Sequence, residues 1–377
     1  MPSLFTLRAG LVGLLTLLLL VLSPQLHAYD LTVAKDGSGN YTTVQAAIDA
    51  APTGRTTPFT IFIKNGKYKE LVTVPANKPF IQLVGESVGN TVITYNNSAG
   101  TIVNGVALGT QNSASVTINA TDFSAMNLTF ENSFGEASSG GQAVAILVNS
   151  DRAAFRNCRF LGNQDTMYLK GNGTPRQYFV NCYIEGNTDF IFGSAIALFE
   201  SCNIYAKNKT TTSTSYIAVP NTPAGQAFGL VFKNCNVTGH SVAGGTRYDL
   251  GRPWQANPKA AFLNCNLSTP IILDEGWSPT SSAGTATIRD SYFVEYQNTH
   301  FNGRPINVSS RVLSGQALTP RPAMHQQLRY FGPVQGVGPG GQVELHGTQQ
   351  GSFAGLAGHE QHPRTSGYSR DDALPVV

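Results

Sequence analysis

Charge is scarce in this sequence. Only 12% of its 377 residues are Asp, Glu, Lys or Arg, and the formal balance is +3. So thin and scattered a charge excludes a nucleic-acid binder, which needs a basic patch or stripe. It is compatible with an acidic polymer as substrate without calling for one. Membrane-spanning runs are lacking as well. The opening "MPSLFTLRAGLVGLLTLLLLVLSPQLHAYD" has an apolar stretch at 11–22, and no later stretch is long enough to span. That run falls short of the about 20 residues a transmembrane helix takes. Arg8 precedes it, and "LHA" ends on the small residue Ala28. The pattern reads as a secretory leader, residues 1–28, against the alternative of a membrane anchor. No membrane association is expected once it is cut. An even set of cysteines is missing too: there are five. In an oxidising compartment an odd number excludes a fully paired disulfide framework.

Helical periodicity is nearly absent. The exception is "YTTVQAAIDAAP", residues 41–52, where Val44, Ala47, Ile48 and Ala51 recur at helical spacing. Thr42 or Thr43 can cap its start and Pro52 stops it. Elsewhere the chain repeats a strand signal. The cysteines stand in "FRNCRF", "FVNCYI", "FESCNI", "FKNCNV" and "FLNCNL", each Phe-x-polar-Cys-x-apolar. They fall at 158, 182, 202, 235 and 265, in steps of 24, 20, 33 and 30 residues. Around each, apolar and polar residues alternate with period two. "FSAMNLTFEN" from Phe123 and "ILVNSDRAAF" from Ile146 fit the same scheme loosely. The connections leave too little room for the helical crossovers of a βαβ protein. An antiparallel sandwich would not need the same residues at the same point of each turn. A solenoid does. The expected fold is therefore all-β, a single-stranded parallel β-helix at 29–331, with the short helix as a lid on its first coil. From 332 to 377 the chain is Gly-, Pro- and Gln-rich without periodicity and reads as a disordered tail.

One phrase is written twice. "GNQDTMY" occupies 162–168 and "GNTDFIF" occupies 186–192, both reading Gly-Asn-x-Asp-x-x-aromatic. Their offset of 24 equals the step from Cys158 to Cys182. If one repeat is one coil, Asp165 and Asp189 stack on neighbouring coils about 4.8 Å apart. Stacked carboxylates raise one pKa and leave the other group ionised, which makes an acid and a nucleophile from one residue type. Turn chemistry alone also explains a single Gly-Asn-x-Asp; two in register with flanking aromatics favour a site. Gln142 stands in the otherwise apolar "GGQAVAIL", and Gln164 adjoins Asp165. A buried amide must find partners or serve a ligand. In "YDLGRPWQANP" Arg252 and Trp254 share one face of an extended segment. The arginine can fork onto a carboxylate and the tryptophan can stack on a sugar ring; a surface turn is the bland alternative.

These residues together resemble the pectinesterase (pectin methylesterase) family. The matching motifs are "KDGSGNYTTVQAAIDAAP", "IKNGKYKE", "QAVAI" from Gln142, "QDTMY" from Gln164, "DFIFG" from Asp189 and "LGRPW" from Leu250. They span about residues 33–277, in the family's order; Ile146 and Met167 stand where leucine is common. The resemblance implies a right-handed β-helix and hydrolysis of galacturonate methyl esters to carboxylate and methanol, with no cofactor and no metal. Carried over motif by motif, Asp189 is the nucleophile and Asp165 the general acid, then base. Gln142 and Gln164 stabilise the oxyanion and Arg252 pairs with Asp189. Trp254 stacks on substrate, and Tyr168 and Phe192 line the cleft. The implied partner is methyl-esterified homogalacturonan in the cell wall, met by a secreted monomer.

Two rivals remain. A β-helix polygalacturonate glycosidase also uses paired carboxylates, and "NTD" at 187–189 invites that reading. Its adjacent Asp pair occurs here only at Asp371 and Asp372, and its Gly-His-Gly and Arg-Ile-Lys are missing. The other rival is a catalytically silent pectin-binding β-helix. Two further expectations are weaker. N-x-Ser/Thr triplets, among them Asn40, Asn96, Asn119, Asn127, Asn172, Asn208, Asn236, Asn266 and Asn307, are candidate glycan acceptors. Cys182 and Cys202, separated by the shortest step, are expected on adjacent rungs, within the roughly 4.4–6.8 Å that a disulfide takes. Cys158 competes for the same partner, and an unbonded ladder of thiols is the alternative.

Overall fold

The computed structural model describes residues 29–136, 141–212, 214–255, 257–268, 270–279 and 291–306. The leader at 1–28, the tail at 332–377, the triplet at Asn307 and the pair Asp371 and Asp372 lie outside the described residues. Among the described residues no helix is long and apolar enough to cross a membrane.

The chain winds as a parallel β-helix whose walls are sheets of ten, nine and seven strands. One coil shows the construction. Ala153–Arg156 enters the ten-stranded sheet, Arg159–Leu161 the nine-stranded sheet and Met167–Lys170 the seven-stranded sheet. Each then pairs in parallel with the equivalent strand of the following coil, Arg176–Val180, Tyr183–Gly186 and Ile191–Gly193. A coil thus holds three short strands where the Phe-x-polar-Cys signal marks a single stretch. The difference has a simple cause. That signal spans the sharpest corner, between the first two sheets, whereas strands of three or four residues after a turn leave little periodicity to read.

The corner explains the composition of the repeat. Asn127, Asn157, Asn181, Ser201, Asn234, Asn264 and Gln297 occupy it on successive coils, with φ between 50° and 55°. This left-handed conformation favours Asn, whose short amide bonds locally. Asparagine amides also stack between coils, as where Asn157 Nδ2 donates to Asn127 Oδ1 at 2.6 Å and Asn266 Nδ2 to Asn236 Oδ1 at 2.9 Å. At Asn127, Asn236 and Asn266 the N-x-Ser/Thr triplet therefore has a structural use.

Inside the coil, like residues stack on like. Phe155, Phe179, Phe199, Phe232 and Phe262 are in register, with ring centroids 4.9, 4.7, 4.8 and 4.3 Å apart from one coil to the next. Burying each ring contributes about 2–3 kcal/mol, and the offset stacking a further 0.5–1.5 kcal/mol. The cysteines form a parallel buried column. All five are free thiols, so the expected bridge between Cys182 and Cys202 is not formed. The two are on adjacent rungs, as the residues flanking them pair Tyr183 with Asn203. Each sulfur instead lies against a backbone carbonyl of the coil before, Cys182 on Phe155 O at 3.6 Å and Cys202 on Phe179 O at 3.4 Å. In-register side chains leave their strands in the same direction, and the bent Cβ–S–S–Cβ geometry of a disulfide is not met.

The helical lid is present as α1, Val44–Ala50, with Val44, Ala47 and Ile48 buried against the first coils. Both its ends are tied to the solenoid. Thr43 Oγ1 caps the start, and the carboxylate of Glu70 accepts from Val44 N and Gln45 N at 2.9 and 3.0 Å. The buried ammonium of Lys78 donates to the carbonyls of Ile48, Asp49 and Ala51 at 2.6–2.9 Å. A carboxylate at the N-terminus and a cation at the C-terminus match the helix dipole. Two elements were not expected, a four-residue helix Gly109–Asn112 and an antiparallel ribbon pairing Ile102–Val103 with Val106–Ala107.

Candidate active site

The doubled phrase leads the chain from the nine-stranded to the seven-stranded sheet. Its glycine is a packing requirement: a Cβ on Gly186 would sit 2.2 Å from Phe190 Cβ and 2.8 Å from Asn163 O. Its aspartate holds a left-handed backbone on both coils, φ 65° at Asp165 and 49° at Asp189. Few side chains tolerate that conformation, and Asp is one that does. Gln164 bridges Thr188 in parallel, and Asp165 N donates to Thr188 O at 3.0 Å. The two carboxylates are therefore rung neighbours, as the offset of 24 predicts. Asp165 is 8% exposed and Asp189 9%.

Their environments differ. Arg252 reaches back across two coils to Asp189 and grips it with both edges, Nε to Oδ1 at 3.0 Å and Nη2 to Oδ2 at 2.5 Å. It touches Asp165 by no such bond among the described residues. Burial works against the Arg252 charge, but the bonds and charge of Asp189 outweigh it and hold the guanidinium firmly protonated. The Tyr216 ring supports it from one face, 5.1 Å from centroid to guanidinium carbon. Asp165 lacks this help. Burial, then the charge of Asp189, pushes its carboxyl well above the usual range; Arg252, the Gln164 amide and Lys209 pull the other way without cancelling the rise. One acid is thus engaged by a fork of donors, while its neighbour's carboxyl is pushed towards the protonated form.

All eight residues singled out in the sequence, Gln142, Gln164, Asp165, Tyr168, Asp189, Phe192, Arg252 and Trp254, line one open cleft of about 370 Å³. Gln142 sits in an extended lead-in to the strand Ile146–Asn149 rather than within a strand, because its coil has not yet met the sheet. Ala143 N donates to Gln164 O at 3.0 Å, which places both amides at the same end of the cleft. Tyr168 and Phe192 stack at 4.4 Å, and the Trp254 indole stands against them at 6.4 and 5.8 Å. Three aromatic rings beside two acids make a surface for a sugar ring with a reactive group at its edge. The Arg252 atom Nη1 is buried without a hydrogen-bond partner among the described residues. A bound oxygen would satisfy it.

Sequence reasoning missed Thr110, Gln111 and Val219, which also line the cleft, and Tyr216 beneath Arg252. Val219 had a signal: it pairs with Phe192, one rung on from Tyr168. Thr110 and Gln111 come from the unexpected four-residue helix and had none.

Comparison with known proteins agrees with this geometry. The sequence profile of the family described as Pectinesterase matches residues 30–324. Pectinesterase 31 of Arabidopsis thaliana is 41% identical over 271 residues, covering 70% of this chain and 81% of that protein. Probable pectinesterase/pectinesterase inhibitor 64 of the same plant is 37% identical over 287 residues, 72% of this chain. The chain spans 46% of that relative's length, about half. Among solved structures, pectin methylesterase from carrot superposes with a TM-score of 0.70 at 32% identity, covering 80% of this chain and 91% of its own. Pectin methylesterase from Erwinia chrysanthemi gives 0.67 at 31%, covering 78% and 96%. A parallel β-helix, a forked arginine on one of two stacked aspartates and a family match over most of the chain converge: this protein belongs to the pectinesterase family.

Proposed function

We propose that the chain is a secreted carboxylic-ester hydrolase that removes methyl esters from galacturonate units of pectin, giving pectate and methanol. The observation that carries this reading is the unequal environment of two stacked aspartates, one forked by Arg252, the other buried with its carboxyl pushed well above the usual range. Solved relatives support the substrate class, since one pectin methylesterase 31% identical to this chain was crystallised with a hexasaccharide.

The chemistry follows from the two charge states. A sugar stacks on Trp254 with its ester over the aspartates. The Asp189 carboxylate attacks the ester carbon, and negative charge moves to the carbonyl oxygen. Side-chain amides of Gln142 and Gln164 donate to that oxygen; one such donor is typically worth about a hundredfold or more in rate. The carbon–methoxy bond breaks, Asp165 passes its proton to the leaving methoxide, and methanol departs. This leaves a mixed anhydride between Asp189 and the sugar carboxyl. Asp165, now an anion, takes a proton from water as the hydroxide adds to the acyl carbon. The anhydride opens, Asp189 returns to the Arg252 fork, Asp165 keeps the proton it took from water, and the released galacturonic acid gives its own proton to solvent.

The leader at 1–28 directs the chain outward in this proposal, to cell-wall pectin, as a monomer. The test is methanol release from methyl-esterified pectin by the chain starting at Tyr29. Methanol without chain shortening is expected. New reducing ends without methanol would support a glycosidase, and binding without either product a silent pectin-binding protein.

A further inference from the structure

One cation at the rim of the cleft has no role in that chemistry. Lys170 ends the strand Met167–Lys170, two residues beyond Tyr168, so both side chains leave the outer face of the wall. Its Nζ donates to Gln111 Oε1 at 2.9 Å and stands 5.3 Å from the centre of the Tyr168 ring. Both of those residues line the cleft. Lys67, Lys207 and Lys233 pair with the carboxylates of Glu131, Glu185 and Glu200. Lys170 has no acidic partner among the described residues. A lysine tethered by neutral groups, with its charge uncompensated beside a cleft, suits an anion that arrives with the ligand.

The geometry says which anion. The cleft runs across the coils, from Gln111 and Gln142 to Trp254, perpendicular to the strands. Along one coil Asp165, Tyr168 and Lys170 follow in that order. A polymer lying over Tyr168 therefore has one edge at the aspartates and the other at Lys170. In an extended 1,4-linked galacturonan, consecutive units turn their carboxyl groups to different sides. When one unit presents its ester to Asp189, a neighbour presents its carboxyl group to the Lys170 edge. There an ester is neutral and a free carboxylate is an anion.

We propose that Lys170 reads the free carboxylate of a neighbouring galacturonate, so that the cleft takes partly demethylated chains in preference to fully esterified ones. The inference rests on the esterase reading above. It adds a consequence: each demethylated unit improves binding of the stretch beside it.

The test compares two probes, a fully methyl-esterified hexagalacturonate and a hexamer with every second carboxyl free. KM and kcat are measured for the parent, Lys170→Gln and Lys170→Glu, at low and high salt. The parent is expected to show a KM about two- to fivefold lower for the partly free hexamer, the worth of an exposed ion pair. Salt should erode that advantage. Lys170→Gln should bring the ratio of the two KM values to near one, and Lys170→Glu should invert it. A role confined to holding Gln111 or Tyr168 would raise both KM values together and leave the ratio intact, which overturns the proposal. Methanol from neither probe overturns the esterase reading and this one with it, whereas methanol with an unaltered ratio overturns this one alone.

Discussion

Asp165→Asn and Asp189→Asn are the same chemical change on adjacent rungs, yet they should move stability in opposite directions. Asn suits the left-handed backbone at both positions, so neither substitution adds strain there. At Asp165 the change removes a second carboxylate about one rung, roughly 4.8 Å, from the first. Two such charges repel by about 3 kcal/mol at an effective dielectric of about 20. Attraction to Arg252 offsets part of this, leaving a gain of about 1–2 kcal/mol when both groups would be ionised. The gain depends on pH. Below the ordinary carboxylate range Asp165 is protonated whether folded or not, and the variant gains nothing. As pH rises, the unfolded chain ionises first while the fold holds the proton, so the parent loses stability until the raised pKa is passed. Asp165→Asn has no such loss. At Asp189 the change strips the buried Arg252 of its fork, and a buried charge left unpaired costs about 3–5 kcal/mol. Thermal melts of the parent and both variants from acidic to mildly alkaline pH decide the matter. Asp165→Asn is expected to melt a few degrees above the parent at high pH and level with it at low pH; Asp189→Asn should melt well below the parent, because Arg252 loses its fork. Both should lose methanol release by several orders of magnitude. A lower melting point for Asp165→Asn at high pH would refute the repulsion between the stacked acids.

Other expectations are narrower. Trp254→Ala should raise KM for methylated pectin more than it lowers Tm, since Trp254 packs at the cleft wall and not within the coil; unchanged KM with a large drop in Tm would make it structural. Activity should decline as pH rises through the raised pKa of Asp165, because departing methoxide needs its proton, and a rate that climbs through that range would argue against Asp165 as the acid. All five cysteines should react as thiols after denaturation and resist modification before it, because all five are buried away from reagent. Non-reducing peptide mapping that finds Cys182 joined to Cys202 would contradict the column. Phe199→Ala should cost about 3–5 kcal/mol, measured by denaturant melting, since it opens the stack between Phe179 and Phe232.

Much of this site was legible before any coordinates because a solenoid converts sequence offset into distance. The offset of 24 between two phrases fixed a one-rung separation, whereas the partner of Arg252 came from the resemblance to the pectinesterases and not from any offset. What stayed hidden followed from the same rule. Tyr216 lies one rung beyond Asp189, since Asp189 N donates to Tyr216 O at 2.9 Å. Its coil breaks the repeat with a longer connection after Ala206, and no offset announces it. Thr110 and Gln111 belong to an excursion from the wall, where register does not apply. The polar residue before each cysteine, Asn at four and Ser201 at the fifth, was visible as a pattern, but its reason, a left-handed corner, is a dihedral angle and leaves no trace in hydrophobic periodicity. The disulfide expectation failed for a related reason: rung spacing satisfies the Cα distance, while the parallel direction of stacked side chains does not satisfy the bond.

That parallelism is also what makes the site. A parallel stack repeats each side chain's direction as well as its position, so two aspartates in register are brought side by side without any dedicated scaffold. Left alone, such a pair is symmetric, and symmetric acids share one proton with no assigned roles. Symmetry is broken from outside the pair, by Arg252 arriving two coils later over the Tyr216 ring and engaging only the nearer carboxylate. Distance along the solenoid axis decides the choice, because Asp165 is one rung farther away. Which aspartate takes the fork then follows from which comes second in the sequence, and engaging the other would require the arginine to approach from the opposite end of the coil.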